Sequence, residues 1–185
     1  MRAYAILVMS STLLLAGSCS KDDSATPGSI NDENYYKMVG NALINCYVDI
    51  YNQNLAGVPT GEHNITTEGP LGGTVIITGT TSYDNTHNIT GTDLVFSMTG
   101  VKYTYSFEDS SGKNWTTQIT LTGSSTYSGT FSNSYTSVNH HSVNLMITGT
   151  VNNEGVSRSI DDSGEVSINR SSIIVVNLFG HTVSW

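Results

Sequence analysis

From Asn31 to Leu55 the apolar side chains Tyr35, Val39, Ala42, Leu43, Cys46 and Ile50 recur at three- and four-residue spacing, and Asn34, Lys37, Asn41, Asn45 and Asn52 fall towards the other side. That period is one face of a helix, so the spacing predicts an amphipathic helix over 31–55. Asn31 is placed to cap it, with Asp32 and Glu33 in the first turn, and Gly57 followed by Pro59 supplies a stop. A helix with one apolar stripe must be covered, and one face of a following sheet is the most economical cover.

Residues 58–71, with Pro59, Gly61, Gly69 and Pro70, read as a loop or short extended connection, and no proline follows Pro70. Apolar side chains then alternate in Leu94-Phe96-Met98, Val101-Tyr103-Tyr105-Phe107, Ile119-Leu121, Val143-Leu145-Ile147 and Val183-Trp185. A period of two marks half-buried strands. Turn signals fall at Asp84-Asn85, Asn88 to Gly91, Gly100, Asp109 to Gly112, Gly123 to Ser125, Asn152 to Gly155, Asp161 to Gly164 and Gly180. Strands are expected at 73–82, 92–99, 101–108, 114–123, 126–132, 142–151, 155–160, 165–169, 172–178 and 181–185. The similar stretches around Thr78-Gly79, Thr122-Gly123 and Thr148-Gly149 share no constant period and read as independent strand endings rather than a repeat. The fold class expected is mainly β with one N-terminal helix: an antiparallel meander packed on the helix, as an open or partly closed barrel or sandwich. Trp185 is expected to close its core.

Composition explains how so few large apolar residues hold a sheet. Of 185 residues 25 are Ser and 24 are Thr, and only 37% are hydrophobic. Thr suits a wet sheet face, because its branched carbon favours extended backbone and its hydroxyl meets solvent. The shortfall in apolar residues is filled by hydroxyls and amides rather than charge, which argues against a disordered chain. Seven Lys plus Arg stand against 15 Asp plus Glu, for a net charge of −8. Phosphate recognition needs clustered positive charge, so no nucleic-acid partner is expected.

The first residues add an address. Arg2 is followed by an apolar stretch from Ala3 to Gly17, too short for a normal spanning helix, and small residues precede Cys19, so 1–18 reads as a signal peptide. Leu15-Ala16-Gly17-Ser18-Cys19 resembles a bacterial lipobox, with Ala16 where that family more often has Leu, Val or Ile. Ser20-Lys21-Asp22-Asp23-Ser24 is similar to the Lys-plus-acid export signal of surface lipoproteins of the Bacteroidota, and Asp23-Ser24-Ala25 resembles a short O-glycosylation site of that group. The resemblance implies that Cys19 becomes the first mature residue and carries palmitate-type acyl chains. It also implies an outer-membrane location, facing outwards or into the periplasm. Each buried methylene contributes roughly 0.8 kcal/mol to such an anchor. The organisation expected is a signal peptide at 1–18, a lipidated tether at 19–30 and a single β-rich domain at 31–185 with its helix at 31–55.

Candidate chemistry is sparse. Cys46, on the apolar stripe, reads as a small buried hydrophobe. His63, His87, His140, His141 and His181 lie near expected loops or strand ends, and the adjacent pair His140-His141 points oppositely in an extended segment, so it forms no chelate by itself. Asp161-Asp162 with Glu165, and Glu108-Asp109, read as solvated turn residues. No phosphate loop, zincin motif, hydrolase elbow or dinucleotide fingerprint occurs, and neither metal nor cofactor is expected. Tyr83, Trp115, Tyr127 and Tyr135 lie among Ser, Thr, Asn and Gly, where rings can stack on sugars and polar neighbours can meet hydroxyls; they are the candidate glycan-binding residues. The leading reading is a non-enzymatic envelope lipoprotein that binds a glycan, a peptide or an envelope partner. The alternative is a cavity-type carrier of an apolar small molecule, with Tyr103, Tyr105 and Phe107 turned to ligand rather than to the sheet's packed face. An envelope enzyme with a loop-assembled site ranks below both.

Overall fold

A computed structural model of the chain describes residues 29–86, 89–131 and 136–185. Residues 1–28, on which the expected signal peptide and most of the expected tether at 19–30 fall, lie outside these described residues, as do His87, Asn88 and Tyr135. Helix α1 spans Asp32–Asn54. It is followed by β1 (Gly61–Glu68), β2 (Thr74–Asp84), β3 (Ile89–Glu108), β4 (Asn114–Phe131), β5 (Thr136–Asn153), β6 (Val156–Arg170), β7 (Ile174–Leu178) and β8 (His181–Ser184). The strands form one eight-stranded antiparallel sheet in sequence order, with β1 and β8 at its two open edges.

The helix begins where its sequence says it should. The Asn31 side chain accepts a hydrogen bond from the Asn34 amide at 2.8 Å, satisfying one of the free N–H groups of the first turn. Lys37 pairs with Glu33 one turn back, at 2.7 Å. All six stripe residues from Tyr35 to Ile50 are buried, joined by Met38 and Tyr47. They face Phe96, Leu94, Ile119, Leu121, Leu145, Ile147, Val176 and Leu178 in one continuous core. Trp185 packs on this core at Gly40, where an added Cβ would come within 2.9 Å of the indole.

The strands are fewer and longer than their turn signals suggest. The segments expected at 92–99 and 101–108 are both β3, 114–123 and 126–132 are both β4, and 155–160 and 165–169 are both β6. Gly100, Gly123 and Asp161 to Gly164 therefore lie within strands and not in turns. Gly79, Gly123 and Gly149 are likewise mid-strand rather than strand endings, with φ of +123°, +146° and +148°. A Cβ on Gly149 would stand 1.9 Å from the Gln118 carbonyl oxygen, so this glycine exists for close strand approach. Residues 61–68, read from sequence as connection, form β1, paired with β2 from Gly61↔Thr81 to Glu68↔Thr74.

Two bulges set the phase of the long strands. At Thr99-Gly100 the β3–β4 register shifts between Met98 and Val101, so Leu94-Phe96-Met98 and Val101-Tyr103-Tyr105 share the helix-covered inner face. At Val143-Asn144 the register of β5 shifts against both neighbours, and Asn144 takes φ +60°. This bulge turns Val143 outwards, although sequence alternation groups it with Leu145 and Ile147. It also turns His140 and Ser142 inwards.

The chain enters the domain at one end of the sheet. Arg158, near the start of β6, lays its guanidinium 3.8 Å from the Tyr35 ring centroid, pairs with Asp32, and donates to the Ile30 carbonyl oxygen. The Tyr35 hydroxyl donates to Asp162 at 3.1 Å. Asp161, Asp162 and Glu165 thus belong to β6 and not to a turn.

Candidate functional site

At the opposite end of β6 the inner face changes character. One row of paired residues crosses the whole sheet: His63, Gly79, Leu94, Tyr127, His140, Ile168, Val176 and Val183. The row beyond it carries Thr81, Thr92 and Arg170, and Tyr83 follows two residues past Thr81 on the same face of β2. The next row on the other side sets Ser125 beside Ser142, both buried, between Phe96 and Val166. A tyrosine and a histidine thus stand between Leu94 and Ile168 in the first of these rows, and threonines and an arginine follow in the next.

His140 is the centre of this rim. Its ring lies 4.4 Å from that of Tyr47 on α1 and 4.2 Å from that of Tyr127 on β4. It is 8% exposed, and its Nδ1 has no hydrogen-bond partner among the described residues. Burial pushes its pKa down to about 3, so the imidazole is neutral at physiological pH. The Tyr47 hydroxyl donates to Ser125 Oγ at 2.8 Å, and burial pushes its pKa up to about 12. Tyr51, one helical turn on, sets its ring 5.8 Å from Tyr127. Burial raises Tyr127 well above the ordinary phenol range and lowers Arg170, against which the Tyr127 charge acts. At one edge, the His63 Nε2 and Thr81 Oγ1 atoms lie 2.7 Å apart. Chemically this is an aromatic and hydroxyl-bearing cluster, buried at Tyr47, Tyr127, His140, Thr81 and Thr92 and reaching solvent at Tyr83.

Of the aromatics singled out in sequence, Tyr83 and Tyr127 belong to this end of the inner face: Tyr83 is 38% exposed and Tyr127 is 6% exposed. Trp115 is 7% exposed and stands at the far end of β4, roughly 40 Å along the strand from Tyr127 at about 3.3 Å per residue. Its Nε1 donates to Asp109 Oδ2 at 2.9 Å. Asp109 also accepts from the Ser111 hydroxyl and amide and the Lys113 amide. The Ser111 and Trp115 hydrogen bonds hold its carboxyl far below the usual range. Trp115 and Tyr127 therefore do not share one platform. Tyr135 and Cys19 lie outside the described residues.

The remaining candidates are dispersed. Tyr103 turns its hydroxyl to Asp49 of α1 at 2.8 Å, so its polar end meets the helix. Cys46 is fully buried, and burial pushes its thiol up to about 12. His141 points outwards, 3.8 Å from Glu165, and His181 stacks on Tyr36 at 4.0 Å. Among the described residues no three His, Cys, Asp or Glu side chains gather to hold a metal ion. Sequence reasoning missed Tyr47, Ser125, Ser142 and Arg170; the signal available for Ser125 was its place two residues before Tyr127 on the same face of β4, masked by the surrounding Ser-Thr run. No family model, curated protein or solved structure matches this chain.

Proposed function

We propose that the chain is a non-enzymatic, lipid-anchored protein of the cell envelope, held in the outer membrane through acylated Cys19, whose β-rich domain binds a glycan or a neighbouring envelope partner at the rim around Tyr83, Tyr127 and His140. The observation that carries this reading is a separation. The chain enters at Ile30, bound by Arg158, and the rim row holds Arg170 at the other end of the same strand. At about 3.3 Å per residue that is roughly 40 Å along β6. A tether leading from Cys19 to the first end leaves the second turned away from the bilayer. The partly exposed ring of Tyr83, 38% exposed, offers a stacking face at this end of the sheet.

Two measurements test it. Metabolic labelling with a clickable palmitate is expected on the full chain and lost on Cys19→Ala; label that persists sinks the attachment site. On a glycan array the detergent-solubilised chain is expected to retain a defined set of sugars, with Tyr83→Ala weakening binding about tenfold, the loss of roughly one stacked ring. Sugar binding that ignores Tyr83 would remove the rim from the reading.

A further inference from the structure

The sheet has a notch in its edge beside the lower half of β3. β2 begins at Thr74, opposite Thr99, whereas β3 continues to Glu108. The connection between β1 and β2 carries the line only one step further: Leu71 N donates to the Lys102 carbonyl, and Lys102 N donates to the Gly72 carbonyl at 3.0 Å. The main chain of Lys102 therefore faces away from β4. Backbone direction alternates along a strand, so the N–H and C=O of Thr104 and Ser106 face the same way, and Tyr103, Tyr105 and Phe107 turn theirs to Ile119, Thr117 and Trp115 of β4. Among the described residues no backbone group pairs with Thr104 or Ser106 on that side.

Natural sheets blunt such edges with proline, charged side chains, inward-pointing charge or a covering element, and of these the stretch from Thr104 to Ser106 has only the flanking charges of Lys102 and Glu108 on β3. Here the inward positions are Tyr103, Tyr105 and Phe107, half-buried, with the last two rings stacked 6.1 Å apart. Leu71, 58% exposed, stands at the upper corner, and on the outer face Lys102 and Glu108 bracket the free stretch.

We propose that this edge takes up an extended segment of a partner polypeptide as an added strand in line with β2. Only a peptide backbone repeats N–H and C=O at the spacing that Thr104 and Ser106 present. Packing on Tyr105 and Phe107 calls for apolar side chains at alternate positions of that segment. Lys102 and Glu108 call for an acidic residue at its upper end and a basic one at its lower end. A second copy of this chain fits less well. A symmetric pairing centred on Tyr105 would set Glu108 of each copy against Lys102 of the other, where Gly72 already occupies the edge. A short guest strand simply stops at Gly72. The proposal rests on backbone geometry and is independent of lipid anchoring and of the rim.

The test begins with amide hydrogen exchange on the full chain in detergent, which is expected to find the Thr104 and Ser106 amides fast and those of Tyr103 and Tyr105 protected. Peptides are then selected from a random displayed library on the same chain and resynthesised. They are expected to protect Thr104 and Ser106 and to share the alternating apolar pattern. Ser106→Pro removes a donor that β4 does not use, and is expected to weaken these peptides about tenfold, the value of roughly one backbone hydrogen bond. If that variant misfolds, Tyr105→Lys, an inward charge on the same edge, is expected to give the same loss. Amides already protected in the dilute chain, protection that grows with chain concentration alone, a library that yields no binder, or peptides that protect only other residues would each overturn the proposal.

Discussion

The rings of His140 and Tyr47 lie 4.4 Å apart at an angle of 38°, joining the middle of the sheet to the second half of the helix. Because His140 has been carried into the core as a neutral group, this contact is sensitive to acid. An unfolded histidine titrates near 6.5, and the folded one near 3. Between those values the unfolded chain binds a proton that the folded chain does not, so the stability contributed is complete above about 6.5 and is lost as pH falls towards 3. The slope is about 1.4 kcal/mol per pH unit. Urea unfolding at pH 7 and pH 4.5 should show a lower midpoint in acid, and His140→Gln should flatten the difference. An equal acid loss in wild type and variant would discount His140 as the cause.

Tyr47→Phe keeps the ring against His140 and removes the hydroxyl that Ser125 receives. Ser125 is buried, so its oxygen loses a partner it cannot replace with bulk water, and the expected cost is about 1–2 kcal/mol. Adding Ser125→Ala to Tyr47→Phe should cost less than the sum of the two single changes, because both remove one interaction. Full additivity in denaturant titrations would mean that the bond contributes nothing.

Gly149 and Gly155 separate two kinds of requirement. Gly149→Ala drives a Cβ into the Gln118 carbonyl and is expected to cost about 3 kcal/mol or more, through strain and overpacking together. At Gly155, in the β5–β6 turn with φ +86°, nothing lies within 4 Å of the added Cβ, and alanine should cost only the left-handed penalty of about 1–2 kcal/mol. Thermal melts of the two variants side by side test the ranking. A milder effect at Gly149 would contradict the close strand approach.

Cys46 should be chemically silent in the folded protein. Its side chain is fully buried, and its thiol is held up near 12. In a Cys19→Ala background a disulfide reagent at pH 8 is expected to react only at the rate of global opening, and within seconds once denaturant is added. Rapid reaction without denaturant would show that the helix lifts from the sheet on its own.

How much of this was legible depended on which local signals were unambiguous. The helix was, because its period, its Asn31 cap and its Gly57 stop all agree with Asp32–Asn54. The antiparallel meander was, because short polar connections at Asp109 to Gly112 and Asn152 to Gly155 leave only neighbouring strands to pair. The strand count was not. Glycine marks a turn, a bulge or a mid-strand kink with the same residue, and at Gly100, Gly123 and Gly164 the sheet continues through it. Of the aromatic candidates, Tyr83 and Tyr127 share an end of the inner face, and Trp115, on the same strand as Tyr127, lies at the other, a separation that no local spacing records.

Sequence alone determined the helix, the β-rich class, the acidic charge balance and the likeness of the first residues to a lipoprotein leader, because each is carried by neighbouring residues or by composition. Tertiary structure decided which side of each strand faces the helix. One extra residue at Val143-Asn144 reverses the alternation of β5 and carries His140 and Ser142 into the core opposite Tyr47, a phase change that no local periodicity records. It also decided that β2 stops short of β3. An edge is a relation between two strands, and the groups of Thr104 and Ser106 that find no backbone partner among the described residues are set only once both are in place.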